Sequence, residues 1–95
     1  MQTHELILNG KTVSTHLIEL PGAPLLVARG AKGFVMCGYL DIAAADKFNT
    51  AAAVVRGVKT IDELLAKPVA AVSRAAEELG VQPGMTGREA LERFA

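Results

Sequence analysis

Gly33-Phe34-Val35-Met36-Cys37-Gly38-Tyr39-Leu40-Asp41 is the stretch from which the rest of the 95-residue chain is read. It starts as an unbroken apolar run, the pattern of a strand covered on both faces. It then passes through the sole cysteine and a glycine to an aspartate, where a strand hands over to a helix. Asp41 is placed as N-cap of a short helix running to Phe48, because its carboxylate can accept from the free amides of the first turn. Ala51 to Arg56 returns as a strand. Strand Phe34 to Cys37, helix and strand together make a short βαβ crossover, right-handed by the general rule.

Upstream, Glu5-Leu6-Ile7-Leu8, Asn9-Gly10 and Lys11 to Leu20 form a hairpin, since Asn-Gly tolerates the positive φ angles of a two-residue type I′ turn. That turn pairs Leu8 with Lys11, Leu6 with Val13 and His4 with Thr15. One face then carries Leu6, Leu8, Val13 and Leu17, and the other Ile7, His16, Ile18 and Leu20. Neither face is cleanly polar, so the hairpin is expected to be covered on both sides, one of them by another subunit. Pro21-Gly22-Ala23-Pro24 reads as a rigid turn and Leu25 to Ala28 as a third strand.

Downstream, the last third reads as helical. Thr60-Ile61-Asp62-Glu63 and Thr86-Gly87-Arg88-Glu89 fit the capping-box spacing. Pro68 is placed for a first helical turn, and Val69, Val72, Ala76 and Leu79 recur at helical spacing up to Gly80. The final helix is expected to bury Ala90, Leu91 and Phe94.

A chain of 95 residues has room for one domain, and at this length only ~60–70% of the unfolded surface is buried. Ten basic and ten acidic side chains cancel, which removes the simplest case for a nucleic-acid or anionic-membrane partner. The composition is 51% hydrophobic but only 4% aromatic, more apolar surface than one small core needs, and a homo-oligomer would use the surplus. No apolar run approaches the ~20 residues of a membrane span. The start lacks the pattern of a signal peptide, and with one cysteine no internal disulfide forms, so a cytoplasmic location is expected.

Two places carry chemistry. Cys37 sits at the end of a parallel strand beside a helix start, where α/β units hold ligands and thiols become reactive; a lone cysteine in an apolar strand is also commonly a small core residue. Arg56-Gly57-Val58-Lys59-Thr60 leaves the neighbouring parallel strand with two cations, and equally fits a solvated turn. Facing Cys37, Gly38 and Asp41 across a crevice, Arg56, Lys59 and Thr60 would hold a small anion. The competing readings are an enzyme with Cys37 as nucleophile or redox thiol, and a protein-interaction scaffold. His4 and His16 fall on opposite hairpin faces, which argues against a shared metal. No nucleotide, zinc or redox motif is present, so no cofactor is expected. Gly84, Gly87 and Arg88 are read as a turn before a capped helix.

Three words, Met36-Cys37-Gly38-Tyr39-Leu40-Asp41, Gly57-Val58-Lys59-Thr60-Ile61-Asp62-Glu63-Leu64-Leu65 and Gly84-Met85-Thr86-Gly87-Arg88-Glu89-Ala90-Leu91, span residues 33 to 93 with their spacing. In them the chain resembles the YunC-like family of small bacterial and archaeal proteins, a domain of unknown function. The resemblance implies an α+β fold over residues 1–95 and an N-terminal β region, here residues 1–37, that mediates tetramerisation. It implies no activity. The fold expected is therefore a small mixed sheet with an N-terminal hairpin, one βαβ unit and its helices packed to one side.

Overall fold

The computed structural model describes residues 2–95. Ten elements follow one another along the chain: β1 (Gln2–Leu8), β2 (Lys11–Ile18), β3 (Leu25–Arg29), β4 (Gly33–Met36), α1 (Ile42–Lys47), β5 (Ala51–Val54), α2 (Ile61–Ala66), β6 (Ala71–Val72), α3 (Arg74–Glu78) and α4 (Gly87–Phe94). The six strands form one sheet in sequence order. Among the described residues only the β4–β5 pair is parallel, and α1 crosses between them.

The first hairpin has the register that its turn dictates: Leu8 opposes Lys11, Leu6 opposes Val13 and His4 opposes Thr15. Asn9 and Gly10 take φ angles of 50° and 78°, the left-handed pair that a type I′ turn needs and that Asn and Gly adopt most readily. At the centre, Val35 opposes Ala28 on one side and Ala53 on the other. All three are fully buried, as an apolar run covered on both faces requires.

Alternation along the strands sorts the side chains into two faces. Val13, Leu26, Ala28, Val35, Ala53 and Val55 join the main core with Leu64, Leu91 and Phe94 from α2 and α4. Fully burying a Leu or Phe side chain is worth roughly 1.5–3 kcal/mol, so these contacts account for much of the drive to fold. Gly87 permits the α2–α4 crossing, since a Cβ there would overlap the Leu64 carbonyl oxygen. The opposite face carries Ala52 and Val54, buried with Ala45 of α1. The C-terminal helices thus lie on one side of the sheet and α1 on the other. The expectation of all helices on one side fails for α1 because a crossover with a buried Ala45 covers the β5 face that those helices leave open.

The helix read over Pro68 to Gly80 is also corrected. Val69 N–H donates to Met85 O and Ala70 N–H to Val54 O, and β6 then pairs antiparallel with β5, so this stretch extends the sheet before α3 begins. Ser73 is the pivot. Its hydroxyl accepts from Ala76 N–H as N-cap of α3 and from Ala52 N–H, and donates to Thr50 O at 2.7 Å. The start of β5 and the start of α3 are joined through one buried oxygen.

At α4 the capping box forms in full, with Thr86 Oγ1 accepting from Glu89 N–H and Glu89 Oε1 accepting from Thr86 N–H. At α2 only half of it forms. Thr60 Oγ1 accepts from Glu63 N–H, but the Glu63 carboxylate reaches one residue further back, to Lys59 N–H at 2.9 Å.

Candidate functional site

The parallel pairing of β4 and β5 brings their C-terminal exits side by side, and the ladder runs one residue past the end of β5 through Val55 N–H to Met36 O. Cys37-Gly38-Tyr39 leaves one strand and Gly57-Val58-Lys59 leaves the other. With Ala23 and Pro24 from the turn before β3, they bound a cavity of about 350 Å³. Its walls are mostly apolar, with Lys59 as the one charged side chain among the lining residues.

Cys37 lies in the wall of this cavity and is only 3% exposed. Its Sγ accepts from Leu26 N–H at 3.3 Å and lies 4.0 Å from Pro24 O. The sulfur is therefore seated against β3 and the turn that leads into it. Tyr39, also in the lining, is tied to the same turn, its hydroxyl donating to Ala23 O at 2.9 Å.

The second wall is fastened from α2. Glu63 holds the Lys59 amide, while Lys67 Nζ donates to Gly57 O at 2.8 Å and lies 3.8 Å from Glu63 Oε2. The Lys59 side chain thus departs from a fixed backbone. Arg56 runs along the same edge, for a methyl group added at Gly38 would meet Arg56 Cγ at 3.9 Å.

Of the residues expected at the site, Cys37, Gly38 and Lys59 line the cavity and Arg56 borders it. Thr60 is committed to capping α2 and is absent from the lining. Asp41 does not face the crevice. The turn closed by Leu40 N–H to Cys37 O carries the chain to the other sheet face, where Asp41 Oδ1 accepts from Ala43 N–H and borders a separate hollow with Phe34 and Phe48. His4 and His16 stand on opposite faces, and His16 bonds Thr3 and Ser14 hydroxyls instead. Among the described residues no cluster of His, Cys, Asp or Glu has the arrangement of a metal site.

Sequence reasoning did not single out Tyr39 and Val58 within the two expected stretches, and it missed Ala23 and Pro24 as lining and Glu63 and Lys67 as supports. Tyr39 carried a signal, an aromatic next to a glycine at a strand exit. The roof carried none, because Pro21 to Pro24 reads locally as a turn and reaches the cavity only through the sheet.

Residues 36–94 match the family described as a domain of unknown function, DUF1805. The chain belongs to the DUF1805 family. That match includes both strand exits of the DUF1805 cavity, Cys37 to Tyr39 and Gly57 to Lys59, and leaves out the Ala23–Pro24 roof. Over 90 residues the chain is 36% identical to the uncharacterized protein YunC of Bacillus subtilis (strain 168), covering 90% of this chain and 89% of that protein. The crystal structure of a protein of unknown function from Thermoplasma acidophilum superposes with a TM-score of 0.94 at 34% identity, covering 99% of this chain and 92% of the other. The YunC-like resemblance and the α+β fold are thereby established for this DUF1805 chain, and neither relative's description names an activity.

Proposed function

We propose that the protein is a small-ligand-binding module, and that its ligand is a compact acid with an apolar body. The carrying observation is a cavity with apolar walls from three separate segments and one cation, Lys59, at its edge. Small-molecule sites have this character: mostly apolar lining with a few placed polar groups that fix orientation. Gly38 leaves the wall low, and Arg56 adds positive potential beside it. Asp41 and Thr60 contribute by holding the two helix starts that shape the strand exits.

The module is further proposed to work as a cytoplasmic homo-oligomer, a tetramer by the family resemblance, assembled through the N-terminal strands. Ile7 is 74% exposed on the sheet face shared with Ile18 and Val27, and α1 covers only the β4–β5 end of that face. A second copy would bury these side chains.

One observation favours a second reading, an enzyme with Cys37 as nucleophile: the residue lines the cavity. Against it, the sulfur is buried and already accepts from Leu26 N–H. The binding reading is tested by thermal shift with a panel of small carboxylates and phosphates. Acids with a branched apolar body should raise the Tm of the native protein and not of Lys59→Met; a uniform absence of shifts would count against it.

A further inference from the structure

The cavity under Tyr39 has a neighbour. A second hollow of about 370 Å³ shares the Ala23–Pro24 roof and is lined by Glu19, Leu20 and Gly22 among others. Ala23, Pro24 and Lys59 line both, so the two spaces meet at Lys59. They differ in chemistry. The first has Val58 and the Tyr39 ring with Lys59 as its one charged group, whereas the second has one carboxylate, Glu19, as well as the Lys59 ammonium in its lining. Neither of these charged groups belongs to an ion pair among the described residues.

We infer that the ligand is a short zwitterion of α-amino-acid type with a branched apolar side chain. Its apolar body fills the first cavity, its carboxylate meets Lys59 at the junction, and its ammonium faces Glu19 in the second hollow. This rests on the binding reading above and narrows it. A plain monoanion held at Lys59 would bring its charge toward Glu19 with nothing to offset the repulsion, whereas an adjacent ammonium turns that carboxylate into a partner. Both groups are exposed, so the discrimination is modest, about two- to fivefold in Kd by the scale of surface ion pairs.

The test compares free L-leucine, leucinamide and 4-methylpentanoate, the same branched body with both charges, only the positive charge or only the negative one. Each is titrated into the native protein, Glu19→Gln and Lys59→Met while backbone amide shifts are followed, and the dispersed spectra also report that each variant is folded. Leucine should bind the native protein about two- to fivefold more tightly than 4-methylpentanoate. Glu19→Gln should erase that preference without weakening the acid, and Lys59→Met should weaken both. If 4-methylpentanoate binds as well as leucine and Glu19→Gln changes neither, the zwitterion is wrong and the anion site stands. If none of the three perturbs the cavity amides, both readings fall.

Discussion

The Tyr39 hydroxyl donates to the Ala23 carbonyl oxygen at 2.9 Å, tying the strand exit after β4 to the turn before β3, two of the segments that line the cavity. Tyr39 is 50% exposed, so this bond is made at the surface, where the net worth of a hydrogen bond is small, about 0.5–1 kcal/mol. Such a bond sets how often the roof opens more than whether the domain folds.

Tyr39→Phe keeps the ring and removes the latch. Its global stability should fall by no more than about 1 kcal/mol. Cys37, buried behind the roof, should nevertheless react with a thiol reagent about two- to fivefold faster, in proportion to the open population. Labelling rates in native protein and variant decide it; equal rates would mean that the bond does not gate access.

Ser73→Ala removes the oxygen that joins Thr50, Ala52 and Ala76. A buried amide and a part-buried carbonyl lose their partner and α3 loses its cap, so the expected loss is about 2–4 kcal/mol. Urea unfolding measures it. A loss below about 0.5 kcal/mol would show that water or a local shift replaces the hydroxyl.

Ile18→Asp tests assembly through the first hairpin. An unpaired charge buried between copies costs about 3–5 kcal/mol, enough to shift sedimentation toward smaller species while the circular dichroism of the folded chain persists. A folded variant with the native assembly size would remove the hairpin from the interface.

Glu89 gives a pH dependence of known sign. The Thr86 backbone amide, and after it the Thr86 hydroxyl, hold this carboxyl below its ordinary value of 4.5. The ionised form is thus favoured in the folded chain: its contribution is present above the unfolded value and lost as pH falls through the lowered one. Glu89→Gln should be less stable than the native protein at pH 7, with the gap closing as pH falls below about 4.5. A gap that is constant from pH 7 to pH 3 would contradict the assignment.

Where local chemistry decides conformation, the sequence was enough. Asn9-Gly10 set the hairpin register, and Asp41 and Thr86 marked their helix starts. The parallel strand exits followed from the βαβ order, which is why Cys37, Gly38 and Lys59 were found together. Pro68 to Gly80 misled because Val69, Val72 and Ala76 satisfy helical spacing while the backbone amides of Val69, Ala70 and Ser73 donate to Met85, Val54 and Ala52, partners far along the chain. Asp41 was assigned to the wrong face because the tight turn after Cys37 reverses the chain in three residues. The Ala23–Pro24 roof depends on β3 pairing with β4, a tertiary fact.

The most direct measurement of the binding claim is a map of amide shifts on titration with 4-methylpentanoate. Saturable changes concentrated at Gly38, Tyr39, Gly57 and Lys59, which are among the residues that line the cavity, and weakened in Lys59→Met, are the expected result. Shifts that are absent at millimolar ligand, or spread over the surface and unchanged in Lys59→Met, would contradict it.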